Sequence, residues 1–358
     1  MTKLFTLQVA RGVAANLVVL SHLFVVEGKY TGGGVLPLFT LYGMAGVDLF
    51  FVLSGFIMVA VAGRGIGPLQ FLWRRAARIY PTYWLVSLVV FAVATVEPAM
   101  VNSSIVGPIS IWRSFLLVPA PTLPLLAVGW TLIHEVYFYL VFAVFIALRV
   151  PILAGLVAWG LLLLGVSAVA PNLIAISPAL QLVTSPLTAE FMMGAAVGLV
   201  WRERNMPGAI IAGVTGIAAL ALSIIYLPPI PALITSQHFD ALRVVIFGFP
   251  SALVLYALAA IEHRPVSLRV PKLPVALGDW SYATYLVHVL VISAVGRVLA
   301  LLYPAGGIGA SLVLVMLGLA AANIAGAAVH VLFERPTLIW LHRLGSEIRT
   351  RLIPQPSN

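Results

Sequence analysis

Long apolar runs separated by short polar intervals set the pattern of this chain. Ten runs approach the roughly 20 predominantly apolar residues that a helix needs to cross a bilayer. They cover residues 6–26, 39–62, 79–96, 126–148, 151–171, 186–201, 208–227, 242–260, 280–300 and 308–332. The first run does not read as a signal peptide, because Arg11 interrupts it and no small-x-small cleavage site precedes Glu27. It is expected to persist as the first span. The outer intervals are modest: 27–38 with Gly32, Gly33 and Gly34, the Pro- and Ser-rich 97–125, 172–185, and 228–241 with Pro228, Pro229 and Pro231. Such Gly and Pro clusters mark turns and irregular backbone rather than domains. No internal repeat or low-complexity tail is visible, so residues 1–358 are expected to form one transmembrane domain without an extracytoplasmic accessory domain.

Composition reinforces the pattern. Among 358 residues only 9 % are charged, 62 % are hydrophobic and the mean hydropathy is +1.10. A typical soluble domain carries about 25 % charged residues, so a soluble enzyme is excluded. The absence of cysteine excludes a disulfide scaffold and a thiol-ligated metal site, and Asp, Glu and His offer no metal-box spacing. The net charge of +9 raises the possibility of nucleic acid, but no basic stripe with interleaved aromatics accompanies it. Its distribution has another origin. With the N-terminus in the cytoplasm, Lys3, Arg64, Arg74, Arg75, Arg78, Arg149, Arg202, Arg204, Arg264, Arg269, Lys272, Arg335, Arg343, Arg349 and Arg351 all fall on that side. Lys29, Arg113, Arg243 and Arg297 fall outside or near outer helix ends, and Arg11 lies within the first span. This bias predicts an all-α polytopic membrane protein with ten transmembrane helices and both termini in the cytoplasm.

Ionisable groups at membrane depth are costly and by default face a protein interior or a watery cavity. Here they are Arg11 and His22 on the first helix, Asp48 on the second, His134 and Glu135 on the fourth, Glu190 on the sixth, and His288 on the ninth, with Arg297 near its outer end. Arg11 and His22 are eleven residues apart, which puts them within roughly 20° of one face and about 16 Å apart along the axis. Ala15 and Val18 lie between them on that stripe and leave room for a groove. A long, thin ligand with an anionic inner end and a reactive outer tip fits, and acyl-coenzyme A has that shape. Taken singly, His22 reads equally well as a buried histidine joining helices, and Arg11 as a snorkelling interface residue.

Four further segments carry candidate chemistry. In Phe71–Pro81, Arg74, Arg75 and Arg78 project to one side of a helix, and forked guanidinium donors suit phosphate; ordinary cytoplasmic decoration is the simpler reading of that spacing alone. Gly46–Phe56 buries Asp48, and Gly129–Tyr139 places Glu135 at similar depth. In Ser281–His288, Ser281, Tyr285 and His288 share a face. Each also reads as interhelical polar glue. The small-residue pattern Gly194–Gly198 reads as close helix packing.

Five pieces in order resemble the integral membrane acyltransferase-3 family, and within it the exopolysaccharide-production type of O-acetyltransferase. They are Arg11 with ten residues before His22; Gly46-Val47-Asp48 running into Phe50-Phe51-Val52-Leu53-Ser54-Gly55-Phe56; Arg75-x-x-Arg78; Trp130-Thr131-Leu132-x-x-Glu135-x-x-Phe138-Tyr139; and Ser281-Tyr282-x-x-Tyr285-Leu286-x-His288. The resemblance covers essentially the whole chain. It departs at Trp130-Thr131-Leu132-Ile133-His134-Glu135, where many relatives carry Trp-Ser-Leu, and the Thr form looks more like the exopolysaccharide branch.

The resemblance implies transfer of an acyl group, usually acetyl, from cytoplasmic acetyl-CoA to a hydroxyl of a cell-surface or lipid-linked polysaccharide, in a bacterial inner membrane and without metal. It implies roles for Arg11, His22, Asp48, Arg75, Arg78 and Glu135. On this reading Arg74, Arg75 and Arg78 hold the nucleotide phosphates and Arg11 the pantetheine-phosphate end. His22 acts as base or as acyl carrier, and Asp48 or Glu135 orients it. Ser54, Trp130, Tyr285 and His288 are candidates for substrate binding or the oxyanion. Expected partners are the acyl donor, the glycan acceptor, membrane lipids and other polysaccharide-synthesis proteins. The rival readings are a transporter or flippase of glycan precursors, for which two related halves are expected but not seen, and a non-catalytic scaffold. A lipid, antibiotic-like or peptidoglycan hydroxyl is the alternative acceptor.

Overall fold

A computed structural model describes residues 4–62, 65–101, 108–227, 239–263 and 271–352. Among them every regular element is helical, and ten helices are long and apolar enough to cross a membrane. Numbered spans 1–10, they are Phe5–Tyr30, Leu38–Ala60, Pro68–Val96, Ala127–Leu148, Ile152–Val169, Pro178–Arg202, Ala209–Tyr226, Asp240–Ile261, Ser281–Leu302 and Ile308–Gly345. A bilayer offers no partner to a backbone N–H or C=O, so each spanning segment satisfies them internally. Ten crossings return both chain ends to one side. Lys3, Arg64, Arg264, Arg269 and the cluster of Pro228, Pro229 and Pro231 lie outside the described residues.

Burial separates the core of the bundle from its rim. Within their apolar stretches, 61 % of span 2 is buried, against 17 % of span 5 and 11 % of span 7, which makes the last two lipid-facing. Span 1 packs on spans 2, 9 and 10, span 2 on span 6, and span 3 on span 4. Spans 2 and 6 approach so closely that a Cβ at Gly194 would lie 1.8 Å from the Val52 carbonyl oxygen, and one at Gly55 2.0 Å from that of Phe191. The small-residue pattern at Gly194–Gly198 therefore does pack helices.

The structure corrects three boundaries. Span 3 is not confined to 79–96; one helix runs from Pro68 through Pro81 to Val96, so Arg74, Arg75 and Arg78 sit on the same rod as the membrane-spanning part. Span 6 begins earlier, with a short helix Pro178–Val183 and a turn before Thr188–Arg202. Span 10 continues past 332 through a π-helical turn, His330–Glu334, into the helix Arg335–Leu352.

A fourth correction concerns the 97–125 interval, expected as an irregular outer loop. Its short helix Ile111–Leu116 folds against the middle of span 3. There Tyr83 Oη donates to the Ser114 carbonyl at 2.6 Å, and Trp84 Nε1 to that of Phe115 at 2.8 Å. Leu117, Leu125 and Leu126 are buried. Irregular backbone at membrane depth is tolerated where protein covers it, and here span 3 supplies the cover together with some of the hydrogen-bond donors.

Candidate functional site

The centre of the site is a pair of histidines. His22 on span 1 and His288 on span 9 meet edge to face with ring centroids 4.9 Å apart. His288 is fully buried, and its Nδ1 lies 2.6 Å from the Tyr285 carbonyl oxygen. A carbonyl only accepts, so Nδ1 carries the proton and Nε2 keeps its lone pair. That Nε2 lies 3.4 Å from His22 Nδ1, which is also 3.0 Å from the Val18 carbonyl oxygen. Two acceptors thus face His22 Nδ1, which must be the protonated nitrogen, and the network leaves the basic lone pair of His22 on Nε2. One turn below, the buried Tyr285 hydroxyl donates to the Val128 carbonyl at 3.1 Å and lies 2.9 Å from the Thr131 hydroxyl of span 4.

Asp48 and Glu135, expected to orient His22, make other bonds. Asp48 is fully buried and receives a forked pair from Arg243, with Nε to Oδ1 at 2.7 Å and Nη2 to Oδ2 at 2.9 Å. Arg243, expected near an outer helix end, is only 4 % exposed, because the carboxylate of Asp48 draws it into the bundle. Its guanidinium lies 5.8 Å from the Trp130 ring centroid. Trp130 in turn contacts His134, whose Nδ1 is buried without a partner among the described residues. Glu190, also fully buried, lies against Asp48 and Gly248, and neither of its oxygens accepts a hydrogen bond among the described residues.

Glu135 belongs to a second cluster. It accepts from the Ser54 hydroxyl at 3.0 Å and makes a short bond with Tyr139. Arg75 lies 5.8 Å from the ring centroids of Phe71 and Tyr139, and its Nε is a buried donor without a partner among the described residues. Arg78 is paired with Glu334, a residue 1 % exposed whose other oxygen lies 2.9 Å from His330 Nδ1. Arg11 sits within electrostatic reach of Arg78, Glu334, Glu135 and Tyr139. The expected trio is therefore not uniform: Arg74 is exposed, Arg75 rests on aromatic faces, and Arg78 already has a carboxylate partner. Glu334 offsets the mutual repulsion of Arg11 and Arg78.

The structure brings Arg11, Arg75, Arg78 and Glu135 together at one level, and His22, His288 and Tyr285 at another. Asp48, Trp130 and His134 gather around Arg243. Tyr285 and Ser54, candidates for the oxyanion, already donate their hydroxyl protons to Val128 and Glu135. Sequence reasoning missed Arg243, His330 and Glu334. A usable signal existed: a carboxylate or guanidinium buried at membrane depth requires an opposite charge, so Asp48 and Arg78 each demanded a partner. Among the described residues no group of three His, Cys, Asp or Glu converges as a metal site would require.

The inner faces of this helical bundle thus carry arginines at one level and a histidine pair at another, groups that are costly at membrane depth and face the protein interior. The chain belongs to the acyltransferase-3 family, whose acyltransferase-domain model matches residues 5–331. It is similar to the exopolysaccharide production protein ExoZ of Rhizobium meliloti (strain 1021), 32 % identical over 311 residues, which cover 83 % of this chain and 90 % of the relative. It is also similar to the acyltransferase MdmB of Streptomyces mycarofaciens, 28 % identical over 353 residues, 88 % of this chain and 86 % of the relative. No solved structure matches the chain. The protein is thus a multi-pass membrane acyltransferase.

Proposed function

We propose that the protein moves an acetyl group from cytoplasmic acetyl-CoA to a hydroxyl of a cell-surface or lipid-linked polysaccharide, at a bacterial inner membrane. The observation that carries this reading is the placement of Arg11 and His22 on one helix. An arginine cluster stands at one end, containing Arg75 Nε, a buried donor without a partner among the described residues, and the imidazole of His22, whose Nε2 carries the lone pair, stands about 16 Å further along. Arginines recognise the phosphates, and a pantetheine arm carries the thioester along span 1. The sugar hydroxyl is a weak nucleophile at neutral pH and needs a base in hydrogen-bond reach. Its oxygen attacks the thioester carbonyl carbon while its proton passes to His22 Nε2. The C–S bond then breaks, and the coenzyme A thiolate takes that proton from the His22 imidazolium, so the reaction needs no other acid or base. The exopolysaccharide name of the relative from Rhizobium supports a glycan acceptor and a place beside other polysaccharide-synthesis proteins.

The test uses proteoliposomes, radiolabelled acetyl-CoA and host polysaccharide from which base has removed O-acyl groups. His22→Ala is expected to abolish transfer while still binding donor, and Arg75→Ala to raise the donor KM by about tenfold or more with little change for the acceptor. Normal transfer by His22→Ala would overturn the reading.

A further inference from the structure

We infer that His288 is the positioning partner of His22, filling with a neutral imidazole the place that a carboxylate holds in a Ser-His-Asp arrangement. The inference rests on the functional reading above for the role of His22, and on the hydrogen-bond geometry alone for the role of His288. The Tyr285 carbonyl at 2.6 Å fixes the proton of His288 on Nδ1. Its Nε2 is therefore a lone pair, held 3.4 Å from His22 Nδ1 by a ring that is fully buried. A His288 protonated on both nitrogens would set an N–H against the N–H of His22, so the contact selects the neutral form.

This arrangement does two things for the reaction. Before transfer, the lone pair of His288 and the Val18 carbonyl hold the His22 proton on Nδ1, which keeps Nε2 unprotonated and available to the hydroxyl. When Nε2 takes the proton, His22 becomes an imidazolium in a low-dielectric interior. The positive charge then polarises Nδ1–H towards the waiting lone pair of His288, strengthening that bond only in the charged state. The proton on Nδ1 stays with His22 throughout, and the one on Nε2 leaves with the thiolate. Asp48 and Glu135 are committed to Arg243 and to Ser54 and Tyr139, so neither carboxylate serves as this partner.

The proposal separates acceptor chemistry from packing at position 288. A Gln side chain reaches about as far as the histidine Nε2 and accepts through its amide oxygen; a Phe ring fills the space and accepts nothing. In the proteoliposome assay, His288→Phe is expected to lower kcat by about 100-fold or more with a donor KM within about threefold of the parent, whereas His288→Gln recovers at least about tenfold of that loss. Donor affinity measured by equilibrium binding of labelled acetyl-CoA identifies a variant that has failed to fold. Equal losses in the Phe and Gln variants with donor binding retained would overturn the proposal, as would a loss confined to KM. His22→Ala run in parallel keeps the two readings apart. If that variant is dead while His288→Phe is fully active, the positioning role alone fails. An active His22→Ala removes the functional reading itself.

Discussion

At the scale of single residues, the strongest energetic commitments are the buried ion pairs, and each joins distant parts of the chain. Asp48 and Arg243 are 195 positions apart, Arg78 and Glu334 are 256 apart. Removing one member of the fully buried Asp48–Arg243 pair leaves an uncompensated charge in a medium that cannot solvate it, at a cost of about 3–5 kcal/mol. Asp48→Asn is expected to lower the thermal unfolding midpoint of the detergent-solubilised protein markedly, while Asp48→Leu combined with Arg243→Met restores most of the loss. A double variant as unstable as the single one would mean that Asp48 is held by more than its guanidinium. Arg11, His22 and Arg75 were legible in the sequence because a helix repeats every 3.6 residues and local spacing fixes which side chains share a face. Arg243 and Glu334 were not, and His288 was visible only as a member of the Ser281–Tyr285 face and not as the partner of His22, since pairing across the bundle depends on how helices dock rather than on any spacing within one of them.

At the scale of elements, apolar length alone located all ten spans, because a bilayer leaves the backbone little choice of conformation. Where those helices end is another matter. Span 3 extends well beyond its most apolar stretch, since an amphipathic helix gains by resting its Phe71 face on Tyr139 while its arginines stay polar. The Ile111–Leu116 segment sinks beside span 3 because Tyr83 and Trp84 satisfy two of its carbonyls and its Ser114 hydroxyl accepts from the Leu125 N–H, information that is tertiary and absent from its own composition. The contact between spans 2 and 6 was readable from glycine spacing, and its tolerance is low. Gly194→Val would drive a side chain into the Val52 carbonyl, and overpacking of this kind costs about 1–3 kcal/mol or more. The expected result is loss of the monodisperse peak in size-exclusion chromatography; a normal peak would mean that the two helices can part without harm.

At the scale of the whole molecule, the ten crossings and the basic residues concentrated on one side make orientation a matter of charge. The chain contains no cysteine, so single cysteines report sidedness cleanly. In intact cells, Asn172→Cys, between spans 5 and 6, is expected to react with a membrane-impermeant maleimide, and Glu203→Cys, between spans 6 and 7, only after permeabilisation. The reverse pattern would invert the bundle and place the arginine cluster outside. The two π-helical turns have a consequence of their own. Val244–Gly248 directly follows Arg243, and His330–Glu334 contains Glu334. A π turn holds one residue more than an α-helix needs over the same rise, so a single residue lost there can be absorbed with the flanking helix still facing its neighbours. The same loss elsewhere in a span would turn everything beyond it by about 100°. Among the described residues, a one-residue deletion is therefore best tolerated at these two turns, one beside each guanidinium–carboxylate pair.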